Sequence, residues 1–149
     1  MGNDIVTRVR LSLVMNPETP PETLAALSTI LSAELLARIA EHPSTSAAVL
    51  SELSEHPDGE VRAAVTENPN TPIDVLLRLA GDENVDVRFR LAENANAPNE
   101  VLARLAEDDN PYVAWRAERT LVRLRSRNGA PPLLDGPAAP PARQMRETG

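Results

Sequence analysis

The sequence predicts an all-α fold, an α-solenoid of four tandem two-helix repeats, and three observations carry that prediction. The first is a period. The segment ENPNTPIDVLLRLAGDENVDVRFRLA (67–92) is followed without a gap by ENANAPNEVLARLAEDDNPYVAWRAE (93–118). The same 26-residue step backwards gives EHPSTSAAVLSELSEHPDGEVRAAVT (41–66) and MNPETPPETLAALSTILSAELLARIA (15–40). A fixed spacing of this size indicates stacked supersecondary units that share one continuous core. The second is composition: 42% of the residues are hydrophobic, yet the only aromatics are Phe89, Tyr112 and Trp115, so the core is built from Leu, Val, Ile and Ala, as in helical repeats. The third is that each copy carries two apolar pairs at helical rather than strand spacing.

Residues 1–14 read as the second half of a repeat. VRLSLV (9–14) falls in register with VRAAVT (61–66) and VRFRLA (87–92), which makes it an N-terminal capping helix for the stack. Each full repeat then opens on a turn, NPETP, HPSTS, NPNTP or NANAP, with Pro at its third residue in three of the four copies, where it stops the preceding helix. Thr19, Thr45 and Thr71 stand at the expected N-cap, with Pro20 and Pro72 at the first helical position, and Thr19 with Glu22 forms a capping box. The first helix carries Leu24, Leu50, Leu76 and Leu102 three residues before Leu27, Leu53, Leu79 and Leu105, one face of a short helix. The second helix is announced by Ser32, Asp58, Asn84 and Asn110, and its buried pairs are Leu35 with Ile39, Val61 with Val65, Val87 with Leu91, and Val113 with Ala117. Helices of about two turns do not persist alone in water, so stacking must hold them.

The fourth copy ends differently. No Asn-Pro turn follows Ala117 and apolar residues continue at Leu121 and Leu124, so the last helix is expected to run from Pro111 to about Arg127 and to stop at Asn128-Gly129. The predicted organisation is a helical-repeat domain, 1–127, with a half-repeat cap at 1–14, repeats at 15–40, 41–66, 67–92 and 93–118, and a cap extension at 119–127. A disordered Pro- and Ala-rich tail, 128–149, follows.

The unit DENVDVRFRLAENANAP (82–98), followed by VLARLAED (101–108), resembles the leucine-rich repeat variant family, short bacterial helical repeats akin to HEAT and armadillo units. The resemblance spans residues 9 to about 118. It implies a right-handed superhelix in which α-helices alternate with short elements that are either α or 3-10. It also implies binding of macromolecules rather than a reaction. The family's best-known member carries an iron–sulfur module with cysteine ligands; this chain has no cysteine, so no cluster is carried over.

Composition excludes several chemistries. Without cysteine there are no disulfides, thiolate metal sites or cysteine nucleophiles. No apolar run approaches a membrane span, the N-terminus lacks a signal-peptide core, and Val6 stands where acylation of Gly2 would want Ser or Thr. A cytoplasmic protein is expected. No Gly-rich phosphate loop or Ser-His arrangement is present, so no enzyme and no cofactor are expected. His42 and His56 each occur as Glu-His-Pro. Zinc is conceivable for such a pair, but both fill slots that hold Asn or Asp in other copies, and turn-capping explains them. No metal is expected.

Charge is uneven. Residues 1–118 hold 9 Arg against 20 Asp and Glu, a net of −11, while residues 119–149 hold 6 Arg against Asp135 and Glu147, a net of +4. Arg10, Arg62 and Arg88 form one column and Arg38, Arg90 and Arg116 another. They pair with acidic neighbours such as Glu60, Asp82, Asp86 and Asp108, or alternatively form an anion-binding ladder. The arginine-rich last helix suits a helix C-terminus or an acidic partner, and PAAPPAR (137–143) is a linker with a PxxP core. The most informative column is Leu11, Ala37, Ala63, Phe89 and Trp115. It lies roughly 200° around the helix from the buried pair and so is expected to face outward, unless helix tilt or Leu133 and Leu134 of the tail cover it. Large apolar groups there are not required by stacking, and Trp is a favoured interface anchor.

The function expected is a non-enzymatic interaction module that presents Phe89, Tyr112 and Trp115, flanked by Arg90 and Arg116, to an unknown protein partner. A HEAT-like nucleic-acid-binding protein is one alternative, opposed by the acidic body. An accessory or regulatory subunit of an enzyme is another. Leu76→Ala or Leu79→Ala is expected to cost about 2–5 kcal/mol and to lower the thermal midpoint markedly; a melting curve superimposable on the parent's would refute the register.

Overall fold

A two-turn helix leaves most of its backbone groups without partners inside the helix, so the fold is best followed through its turns as well as its helices. The computed structural model describes residues 2–129 and 138–140, and among these every regular element is helical. They are α1 (Gly2–Met15), α2 (Pro21–Ser28), α3 (Ala33–Glu41), α4 (Ala47–Leu53), α5 (Gly59–Glu67), α6 (Ile73–Leu79), α7 (Val85–Glu93), α8 (Asn99–Leu105) and α9 (Pro111–Arg127). Each 26-residue copy thus supplies one first helix (α2, α4, α6, α8) and one second helix (α3, α5, α7, α9). Both kinds are α-helical. Two compact units are distinguished, Met1–Pro72 and Ile73–Gly149. In the former, α3 packs along α5 and against α1, with α2 and α4 completing the repeats. In the latter, α7 packs along α9, and α6 and α8 lie against them. The chain is an all-α helical-repeat protein.

The Leu pairs of the first helices are all buried: Leu24 and Leu27, Leu50 and Leu53, Leu76 and Leu79, Leu102 and Leu105. So are Val61 and Val65, Val87 and Leu91, and Val113 and Ala117 on the second helices. In α3 the partner of Ile39 is Leu36, 6% exposed, while Leu35 stays half-buried. The reason is a substitution in the neighbouring column. Leu36 stands where α5 and α7 carry Arg62 and Arg88, and an aliphatic chain in that slot can bury itself without an acidic partner.

The threonines are not N-caps. The cap positions of α2 and α8 are Pro20 and Pro98, and that of α4 is Ser46, whose side chain accepts from Val49 N–H. No side-chain cap forms at α2, so the Thr19–Glu22 capping box is absent. Instead each threonine is buried and turns back on the helix before it. Thr19 Oγ1 donates to Leu13 C=O (2.6 Å), Thr45 Oγ1 to Ile39 C=O (2.6 Å) and Thr71 Oγ1 to Val65 C=O (2.7 Å). The Pro that follows occupies the cap itself and displaces the threonine by one residue into the turn. The hydroxyls therefore satisfy carbonyls at a helix C-terminus rather than amides at an N-terminus. In the fourth copy this slot is Ala97, also buried.

The second helices are capped as their sequence indicates at three of four starts. Asp58, Asn84 and Asn110 accept from Glu60, Asp86 and Tyr112 N–H respectively; Ser32 stands at the cap of α3 without a side-chain bond. At their other ends, Asn16, His42, Asn68 and Asn94 repeat one geometry. Asn16 Oδ1 accepts from Glu18 N–H, His42 Nδ1 from Ser44 N–H, Asn68 Oδ1 from Asn70 N–H, and Asn94 Oδ1 from Asn96 N–H. His42 thus replaces asparagine like for like. His56 does the same for aspartate: its Nδ1 accepts from Asp58 N–H as Asp82 Oδ1 accepts from Asn84 N–H. The side chains of this column also reach the preceding repeat. Asn68 Nδ2 donates to Ala40 C=O (2.7 Å) and His42 C=O (2.9 Å), and His42 Nε2 lies 2.8 Å from Asn16 C=O.

Repeats are joined a second time by charge. Arg88 donates to Asp82 C=O (2.6 Å) and forks onto Asp108 of the next copy through Nε (2.8 Å) and Nη2 (3.3 Å). The two side chains are only 15% and 8% exposed. Asp108 also accepts from Asn110 N–H, so one carboxylate closes a turn and anchors a guanidinium. Arg62 spends its guanidinium on the carbonyls of His56 and Pro57. These two are structural arginines rather than rungs of an anion ladder.

The last helix has the predicted bounds, and Gly129 follows it with a φ of +79°, the left-handed conformation that ends helices at little cost only for glycine. Beyond it, the expected disordered tail lies outside the described residues except for 128–129 and 138–140. Most of the PxxP segment (137 and 141–143), and Leu133 and Leu134, are outside them as well.

Ala97→Thr is expected to add the missing hydroxyl bond to Leu91 C=O and to raise stability by about 0.5–1.5 kcal/mol. Thr45→Ala should lower it by about 1–2 kcal/mol. Denaturant titration of both variants checks the pair, and a destabilising Ala97→Thr would contradict the role given to this column. Asp108→Ala, which strands Arg88, is expected to cost about 3 kcal/mol, and Asp108→Asn, which keeps the turn acceptor, distinctly less; equal losses would show that the charge contributes nothing.

Candidate functional site

The columns that stack leave one that is free to vary, Leu11, Ala37, Ala63, Phe89 and Trp115. It is not the outward face its angular position suggests. Leu11 is exposed, Ala37 half-buried, Ala63 only 2% exposed, and Phe89 and Trp115 both half-buried. Second helices lie side by side, α3 with α5 and α7 with α9. A residue opposite the buried pair is therefore flanked by a neighbouring helix, and a methyl group is sheltered where a large ring is not. Phe89 and Trp115 keep part of their surface in solvent for that reason.

Around them α9 supplies the polar groups. The Arg119 guanidinium carbon sits 5.8 Å from the Trp115 ring centroid, a cation–π distance. Arg116 Nη2 pairs with Glu93 at 3.2 Å, which ties α9 to the end of α7. Tyr112 and Arg90 are half-buried beside them in sequence. Tyr112 Oη and Arg116 Nε are buried with no hydrogen-bond partner among the described residues. Each such group costs about 1–3 kcal/mol, so this end of the protein is not arranged for stability alone. The structure thus brings Tyr112, Trp115, Arg116 and Arg119 together on one helix, with Phe89 and Arg90 on the helix packed along it.

Two further concavities belong to the same unit, and sequence reasoning singled out neither. A polar cleft of about 420 Å³ is lined by Gly81, Asp82, Arg88, Arg104, Asp108 and neighbouring residues. Arg104 crosses it to donate to Leu77 C=O (2.9 Å). It can do so because residue 81 is glycine: a Cβ there would stand 3.1 Å from Arg104 Nη2. An apolar groove of about 260 Å³ lies between α8 and α9, lined by Ala103, Leu121 and Leu124 with Asn99, Arg125 and Asn128. Leu121 and Leu124 were legible as apolar positions beyond the last repeat, but a groove between two helices has no sequence signature. No helix among the described residues is long and apolar enough to cross a membrane.

Comparison with known proteins agrees with this architecture. The model for the leucine-rich repeat variant domain matches residues 11–68, and that for the leucine-rich repeat variant matches residues 59–84. No curated protein and no solved structure gives a significant match. The two matches run continuously over 11–84, through α3 and α5 with their Asn and Thr turns, and the 26-residue period carries the same pattern on to Glu118. The chain belongs to the leucine-rich repeat variant family.

Proposed function

We propose that this protein is a non-enzymatic interaction module that engages a protein partner through Phe89, Tyr112 and Trp115, with Arg90 and Arg116 at the margin. Leucine-rich repeat variant domains are helical-repeat modules associated with protein interaction, and the family is structural rather than enzymatic. The observation that carries the finer reading is the pair of large, half-exposed aromatic side chains in a column that holds alanine in two other copies. Stacking needs no bulk there, and alanine is the cheaper residue. Aromatic and arginine side chains are the types that dominate binding energy at protein interfaces. The acidic body, with its net of −11 over residues 1–118, repels phosphate backbones and favours a protein partner over nucleic acid.

Phe89→Ala with Trp115→Ala should leave the helical content intact. Such truncations typically cost about 2 kcal/mol or more each at a central anchor, so the double variant is expected to weaken capture of the partner by more than about tenfold in affinity purification from the native cell. Undiminished capture by a folded double variant would refute this surface.

A further inference from the structure

We propose that α1 is a self-association surface, through which two copies of this chain pair antiparallel along their N-terminal helices. This surface is independent of the aromatic patch. Val9 and Leu13 fall in register with Val61 and Val65, which are 0% exposed in α5. In α1 the equivalent face has no cover: Val9 is 54% exposed, and Ile5 and Val6, one turn before it, are 65% and 46% exposed. Every second helix that follows has its own first helix ahead of it in the chain, and α1 has none among the described residues. Val14, on the opposite side, is the position α1 buries. Ile5, Val6 and Val9 lie within about 100° of one another around the helix axis, so they form a single stripe.

Charge selects a second copy as the occupant. Residues 1–14 carry Asp4 against Arg8 and Arg10, a net of +1, whereas residues 15–118 carry 7 Arg against 19 Asp and Glu, a net of −12. Like-charge repulsion opposes contact between two copies through most of this body but not through α1. The arrangement is also self-complementary. Asp4 and Arg8 sit one turn apart on the same flank of α1, paired at 3.0 Å and well exposed. An antiparallel pair crossing near Val6 sets the Asp4 of each copy against the Arg8 of the other, and closes the apolar stripes of both on one two-fold axis.

Sedimentation of the full chain from micromolar concentrations to about 1 mM tests this. The expected result is a concentration-dependent rise from the 16.1 kDa chain mass to twice that value. Val9→Asp and, separately, Ile5→Asp should shift the midpoint more than tenfold upward while circular dichroism and the melting midpoint stay at the parent's, since both positions are exposed in the single chain. Asp4→Arg and Arg8→Asp should each weaken association, and the two together should restore it. A 16.1 kDa species at every concentration overturns the proposal. So does a dimer indifferent to Val9→Asp and Ile5→Asp, and so does a charge-swapped double variant that associates no better than the single ones.

Discussion

A helix of seven to nine residues cannot pay its own way, because its unsatisfied end groups are about as numerous as its internal hydrogen bonds. The turn after each second helix is where this protein meets that constraint. Asn68 is the fullest example. Its Oδ1 holds the turn closed while its Nδ2 reaches Ala40 and His42 C=O in the copy before. One buried amide thereby serves the local turn and the contact between repeats, and His42 serves the same two ends with its two ring nitrogens. The threonine column adds a carbonyl cap to the helix just ended. The leucine columns bury the apolar area, but these polar groups make such short helices tolerable at a spacing of 26 residues.

Much of this was legible because repetition averages out accident. A residue type that recurs four times at one position reports the requirement of the site, so the leucine pairs, the caps of α5, α7 and α9, and the start and stop of α9 could be read directly. Thr19, Thr45 and Thr71 were misread because Thr followed by Pro fits both an N-cap and a buried turn. The two differ by one residue in register, and only the backbone decides between them. Leu36 was missed because it breaks its own column, and the break is informative. Twenty residues after Arg88 stands Asp108, its partner; twenty residues after Leu36 stands His56. Arginine and acid leave that pair of columns together. The aromatic column was placed by angle alone, which ignores the helix alongside. Its half-burial needed the packing of α7 on α9 to be seen.

The surfaces that remain after stacking are unevenly distributed. The second copy, with Ala63 and Ala64 buried in α5, is nearly featureless on its free side. Phe89, Tyr112 and Trp115 concentrate bulk at α7 and α9, and Ile5, Val6 and Val9 concentrate it at α1. Repeat proteins commonly work this way: the shared columns fix a scaffold, and identity resides in the few positions where one copy departs from the others.

The unequal lengths of the helices bear on how the second unit forms. α6, α7 and α8 are seven to nine residues long, whereas α9 has seventeen. Only the longer helix approaches the length at which helix formation can begin without tertiary support. It is also the element against which both α7 and α8 lie. Synthesis delivers it after both of them. The earlier helices of this unit therefore leave the ribosome without the template they fold upon, and their assembly is coupled to the emergence of α9 rather than proceeding copy by copy from the N-terminal side.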